Sequence, residues 1–250
     1  MNPVPVPSSG DRAALDVLIH RHHDPHRPGF ALADVILGGQ DGLVNVLGVI
    51  LGVAAATQDT HIILAAGLAA TFAESVSMGA VSYTTNQAEQ ARYESERERE
   101  YRHLHLVPAV EREEIRSIYQ RKGFEGALLE RIVDTITADK DVWVAVMMSE
   151  EHQLTPIGRG RAVRSAFIVG LSAIVGSLIP LAPFVALPVS VGMVVSVAIA
   201  AASLFAVGAY KAHVTVGHVG RSGLEMAVIG TISAMAGYVV GLLFRVPAAP

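Results

Sequence analysis

Three groups of side chains have types and spacings suited to divalent-metal chemistry. The first lies in stretches apolar enough to cross a bilayer. Asp41 and Asn45 are four residues apart, and so are Glu74 and Met78. That separation puts each pair on one face of a helix. A carboxylate at membrane depth is costly, and it suggests an ion or proton pathway. Carboxylates beside a thioether form a mixed hard and soft set, which suits a divalent transition metal better than Mg²⁺ or Ca²⁺. An acid placed there can also exchange a proton for a metal ion near neutral pH. The competing structural reading is a pair of protonated acids gluing two spans together. Two acids facing one another across a short hairpin favour the pathway.

The second group lies in the polar middle of the chain. Glu96, Glu100 and His103 are spaced four and three apart, so one helical face presents all three. Glu100 and His103 form Glu-x-x-His, the spacing used in di-iron helical bundles. Glu111 and Glu114 repeat the spacing of three, and Met147, Met148 and Glu151 place two thioethers and a carboxylate within about one turn. The plainer reading is a solvated face, where Glu alternates with Arg from 96 to 100, and a methionine pair filling a core. The third group is His20, Arg21, His22, His23 and His26. It invites a metal, but a solvated juxtamembrane segment explains it more simply.

The elements that must position these groups follow from composition. The chain has 250 residues, 51% hydrophobic and 17% charged, with a mean hydropathy of +0.43. A soluble protein has nearer a quarter of its residues charged, and the apolar residues here are clumped into runs. Both facts point to an integral membrane protein with one polar insert. Cysteine is absent, which removes disulfides, thiolate zinc sites and cysteine nucleophiles. No basic stripe is interleaved with aromatics, so nucleic acid is not an expected partner. No apolar core with a cleavage site precedes the first span, so no cleaved signal peptide is expected.

One helix is expected to run from 61 to about 103, half in lipid and half in water, because no Pro or Gly interrupts it after Gly79. Its apolar part, 62–85, is span 2. Span 1 covers 30–56, with Gly38, Gly39, Gly42, Gly48 and Gly52 allowing close helix approach. Spans 3, 4 and 5 are predicted at 166–187, 189–210 and 224–244, with Pro180, Pro183 and Pro188 bending the exit of span 3. Within the insert, further helices are predicted at 110–121, stopped by Gly123, at 127–136 and at 141–152, the last capped by Asp139 or Asp141. The fold class is therefore an all-α integral membrane protein, with five transmembrane helices and a cytosolic helical metal-binding insert between spans 2 and 3. The divisions are a cytosolic tail (1–29), spans 1 and 2 (30–86), the insert (87–165) and spans 3 to 5 (166–246). With the N-terminus in the cytosol and the C-terminus outside, every one of the 19 Lys and Arg except Arg245 falls on the cytosolic side, as the positive-inside rule requires. The Ala, Val and Gly bias suggests a prokaryotic plasma membrane.

At these residues the sequence resembles a known family. The run ILGGQDGLVNVLGVILGVAAA, the element FAESVSMGAVSY, the Glu-rich insert ending WVAVMMSEE, and the Arg-Ser-Ala-Phe entry to span 3 with IPLAPF are similar to the vacuolar iron transporters, which carry iron and manganese. The resemblance covers about 29–244. It implies a five-span homodimer with the transport path at the dimer interface. It implies export of Fe²⁺ from the cytosol against protons, and a helical metal-binding domain between spans 2 and 3. Mn²⁺ and Co²⁺ are further candidate substrates, and Zn²⁺ an ion the insert would also bind. By position, Asp41 and Met78 match the family's intramembrane ligands, with Glu74 a further acid one turn before Met78. Glu100, Glu111, Glu114, Met147, Met148 and Glu151 match its ligands in the insert. Two departures accompany the match. His103 and Ser82 stand where family members carry Glu, which would turn the insert toward borderline metals and shift proton coupling toward Glu74. The expected protein is a secondary transporter with no catalytic residues. A membrane-bound ferroxidase or metal store, and a structural membrane protein, are the alternatives from other classes.

Overall fold

The computed structural model describes residues 30–158, 160–215 and 217–244, and among them it is helical with no strand. The histidine-rich segment before residue 30, Arg159 and Arg245 lie outside the described residues. Helix α1 is Phe30–Thr57 and α2 is Thr60–Leu106. Only Gln58 and Asp59 separate them, Gln58 in the left-handed region at φ +55°. Asp59 caps α2, its Oδ1 accepting from the backbone N–H of His61 at 2.8 Å and of Ile62 at 3.2 Å. At 47 residues, α2 is about 70 Å long, and it is continuous, as the absence of breakers after Gly79 predicts. It ends where Pro108 opens α3, Pro108–Arg121, because proline suits the first helical position and not the interior.

Gly123, at φ +92°, turns the chain into α4, Gly126–Thr137. Helix α5, Lys140–Glu150, is capped by Asp139, whose Oδ1 accepts from the backbone N–H of Asp141 and Val142. Then come α6 (Arg161–Leu181), the single turn α7 (Pro183–Ala186), α8 (Val189–Val214) and α9 (Val219–Leu243). Several bounds differ from the sequence reading, and α6 starts at Arg161, five residues before 166. Helix α6 stops at Leu181, and Pro183 starts the new turn. Helix α8 runs four residues further than residue 210. Helix α9 starts five residues before 224, its first turns carrying an Arg221 to Glu225 contact at 3.1 Å. Helix α5 stops two residues short of His152.

Helices α1, α2, α6, α8 and α9 are each long and apolar enough to cross a membrane. Their outward faces are apolar too: Val76, Phe167, Val194 and Leu243 are all exposed, the pattern of a lipid-facing surface. Helix α1 is the central stave, packed on α2, α6, α8 and α9. Its buried face carries Leu43, Val46, Leu47 and Ile50, against Ile63, Leu181, Phe184 and Leu204. Small residues set the spacing. A Cβ on Gly176 of α6 would lie 2.1 Å from the Gly39 carbonyl oxygen, and one on Gly241 of α9 would lie 2.0 Å from that of Gly52. The obstacle in both cases is backbone, which cannot step aside. Gly176→Leu and Gly241→Leu are each expected to cost about 3 kcal/mol or more, seen as a lowered unfolding temperature of the detergent-solubilised protein. Unchanged melting would contradict this packing. Pro180 removes a helix hydrogen bond in the last turn of α6, and Ser196 of α8 donates to the Pro180 carbonyl at 2.6 Å, tying that turn to its neighbour.

The insert has its own core. Leu104, Ile115, Leu129, Val133, Trp143 and Val144 form a second apolar cluster, closed by the end of α2 and by α3, α4 and α5. Its outer face is laced by ion pairs. Arg112 reaches Asp134 at 2.5 Å, and Arg116 contacts both Glu113 and Glu130.

Candidate metal sites

Two constellations emerge, joined by α2. The first is held by the α1–α2 hairpin. Its two-residue turn fixes the register between the helices, and Asn45 Nδ2 consequently donates to Glu74 Oε1 at 2.7 Å. The Asp41 carboxyl lies in hydrogen-bonding and electrostatic range of Glu74. Two carboxylates this close repel unless a proton or a cation stands between them. Met78 lies one turn further along α2 and is half-buried, as are Asp41 and Glu74, whereas Asn45 is exposed. Asn45 also borders a groove of about 580 Å³ between α1 and α9, lined by Gly48, Gly52, Ser233, Gly237 and Gly241. Ser82 is not directed at these acids. Its hydroxyl meets that of Ser165 at 2.8 Å, buried between α2 and α6.

The second constellation lies in the insert, where the last turns of α2 meet the start of α3 and the end of α5. Donor atoms of Glu100, His103 and Glu111 lie within 4.8 Å of one another. His103 Nδ1 is 3.2 Å from Glu111 Oε1. The Oε2 atoms of Glu100 and Glu111 are buried and have no hydrogen-bond partner. Each of these side chains is only 3–4% exposed. A buried, unmatched carboxylate oxygen is costly, and a cation bound between the acids would satisfy both. Burial, then the charges of Glu114 and Glu100, push Glu111 up to about 8. Burial and Glu114 raise Glu151 as well, against the opposing pull of His152. Glu114 and Glu151 thus share the electrostatic field of the cluster.

The other residues expected in this site have partners or surroundings of their own. Glu96, one turn before Glu100, lies 3.0 Å from Arg99. Met147 and Met148 are fully buried in the apolar core of the insert, beneath the turn that carries Glu151 and His152. The sequence reading did not single out His152. The structure sets its Nε2 2.9 Å from Glu100 Oε1. Helical spacing cannot find it, because it lies beyond the end of α5. The only signal was its place in the run Glu150-Glu151-His152 directly after two methionines.

Comparison with known proteins gives a consistent result. Residues 32–242 match the model of the VIT family. The chain is 31% identical over 223 residues to vacuolar iron transporter 1 of Arabidopsis thaliana, covering 88% of this chain and 89% of the relative. It is 30% identical over 237 residues to vacuolar iron transporter 1 of Oryza sativa subsp. japonica, covering 93% of each. It is 26% identical over 225 residues to the vacuolar iron transporter of Plasmodium falciparum, covering 86% of this chain and 82% of the relative.

Proposed function

The chain belongs to the VIT family of vacuolar iron transporters, and from that membership we propose that it carries Fe²⁺ across a membrane, out of the cytosol and in exchange for protons. The observation that supports this most directly is Glu74 meeting Asn45 and Asp41 on two helices long and apolar enough to cross a membrane, with Met78 one turn away. The acids neutralise a divalent ion, and the thioether favours a transition metal over Mg²⁺. Once the ion leaves on the far side, the same acids reload with protons. A site at mid-depth, reached alternately from each side, is the logic of secondary transport. Mn²⁺ and Co²⁺ have the charge and ligand preferences to follow the same route.

The Lys and Arg of the insert, with Lys211 and Arg221 at the facing ends of α8 and α9, support a cytosolic placement of the insert. There, Glu100, His103, Glu111, Glu114 and Glu151 collect metal before transport. A homodimer is consistent with the exposed side of Asn45 and the small-residue groove beside it, where a second copy would complete the path. The test is flux into proteoliposomes with Fe²⁺, Mn²⁺, Zn²⁺ and Mg²⁺ across imposed pH gradients. Proton-coupled movement of Fe²⁺ but not Mg²⁺ supports the proposal, and absence of metal-dependent flux refutes it. The insert has a separate test. Glu100→Ala combined with Glu114→Ala should weaken Zn²⁺ binding to the full chain by more than the roughly 10- to 100-fold that loss of an outer partner costs. Calorimetry showing the parent affinity would remove the collecting role.

A further inference from the structure

We propose that His152 is a metal ligand and that, with His103, it tunes the insert site toward ions that favour nitrogen, Zn²⁺ and Co²⁺ before Mn²⁺. The inference rests on the reading of the insert as a metal collector. The two buried acids at its centre are arranged alike. Glu100 has one oxygen 2.9 Å from His152 Nε2, and Glu111 has one oxygen 3.2 Å from His103 Nδ1. In each the other oxygen, Oε2, is buried and unmatched. Donor atoms of Glu100, His103 and Glu111 lie within 4.8 Å of one another; His152 joins that group through Glu100, and a bound ion would displace the proton its Nε2 shares with Oε1. The His103 side chain is 42% exposed and that of His152 24%, and the backbone positions both. His103 sits inside α2. His152 is held by the turn after α5, where its backbone N–H donates to the Met147 carbonyl at 3.3 Å and the Leu154 N–H donates to that of Met148 at 2.9 Å. Leu154 packs on the insert core and anchors the chain beyond the histidine.

An oxygen-only site takes Mn²⁺, Mg²⁺ and Ca²⁺ readily. Imidazole nitrogen adds affinity for Zn²⁺, Co²⁺, Ni²⁺ and Fe²⁺ and does little for the harder ions. A histidine that served only as a counter-charge to Glu100 would instead affect every divalent ion alike. The experiment uses the full chain in detergent, with Asp41→Ala and Met78→Ala to silence the membrane site, and reads Zn²⁺ and Mn²⁺ binding by calorimetry and Zn coordination by X-ray absorption. The parent should show two imidazoles on zinc and His152→Gln one. Zn²⁺ affinity should fall about tenfold or more, the scale of a lost ligand-shell partner, while Mn²⁺ affinity stays nearly constant. An unchanged imidazole count, or equal losses for both ions, would overturn the inference. Glu111→Gln separates the two levels of the argument. If it leaves Zn²⁺ binding intact, the collector reading fails and takes the inference with it. If it removes Zn²⁺ while His152→Gln changes nothing, the collector stands and only the role of His152 is lost.

Discussion

Asp41→Ala is expected to reduce Fe²⁺ flux in proteoliposomes to the level of empty vesicles, and Met78→Ala to do nearly the same, with both proteins still folded. The reason is local. Asp41 and Glu74 lie in range of one another, with Asn45 holding one Glu74 oxygen at 2.7 Å. Removing Asp41 halves the negative charge available to a divalent ion, where water cannot compensate. Removing Met78 leaves the charge but takes away the donor that separates transition metals from Mg²⁺. Neither residue belongs to the tightly buried face of α1 or α2, so the helix packing should survive. Chromatographic profile and melting temperature, measured alongside flux, distinguish lost transport from lost structure. Fe²⁺ movement at the parent rate by Asp41→Ala would remove it from the pathway.

Metal binding by the insert should weaken steeply as pH falls. Burial and neighbouring acids hold Glu111 at about 8, so at pH 7 the metal-free site keeps a proton there that the ion must expel. For one proton displaced, affinity falls about tenfold per pH unit well below that value, or about fiftyfold between pH 8 and pH 6. Glu151 is shifted in the same direction and steepens the dependence. Zn²⁺ titrations of the full chain at pH 6, 7 and 8, in buffers of different ionisation enthalpy, measure both the affinity and the protons released. A flat profile would contradict the placement of Glu111. The same shift has a consequence for stability of the opposite sense. The folded, metal-free insert holds this proton more tightly than the unfolded chain does. The associated stability is therefore complete below the ordinary carboxyl value of 4.5 and is lost as pH rises through about 8. Bound metal reverses that trend.

Much of this architecture is legible in the residues because membrane helices obey simple constraints. Five apolar runs must be helical, since an unpaired backbone cannot survive in lipid. The continuity of α2 follows from the lack of Pro and Gly beyond Gly79, and its end from Pro108. The pairing of Asp41 with Glu74 follows from a loop too short to permit anything but an antiparallel hairpin. What spacing cannot reveal is contact between helices distant in sequence. Ser82 meeting Ser165, and Glu100 meeting His152 across 52 positions, depend on how α2 packs on α6 and on α5. The methionine pair was ambiguous for a related reason. A thioether is both ligand and filler, and only the packing shows Met147 and Met148 inside the apolar core.

The unbroken run of α2 sets the distance between capture and passage. Glu74 and Glu100 stand 26 residues apart on one rod, about 39 Å at helical rise. No single ion can touch both, and no side chain can relay it by swinging. An ion released from the insert must diffuse through water before it reaches the hairpin. If the annex collects metal as proposed, it acts as an antenna that raises the local supply when metal is scarce, and its removal should matter least when metal is abundant.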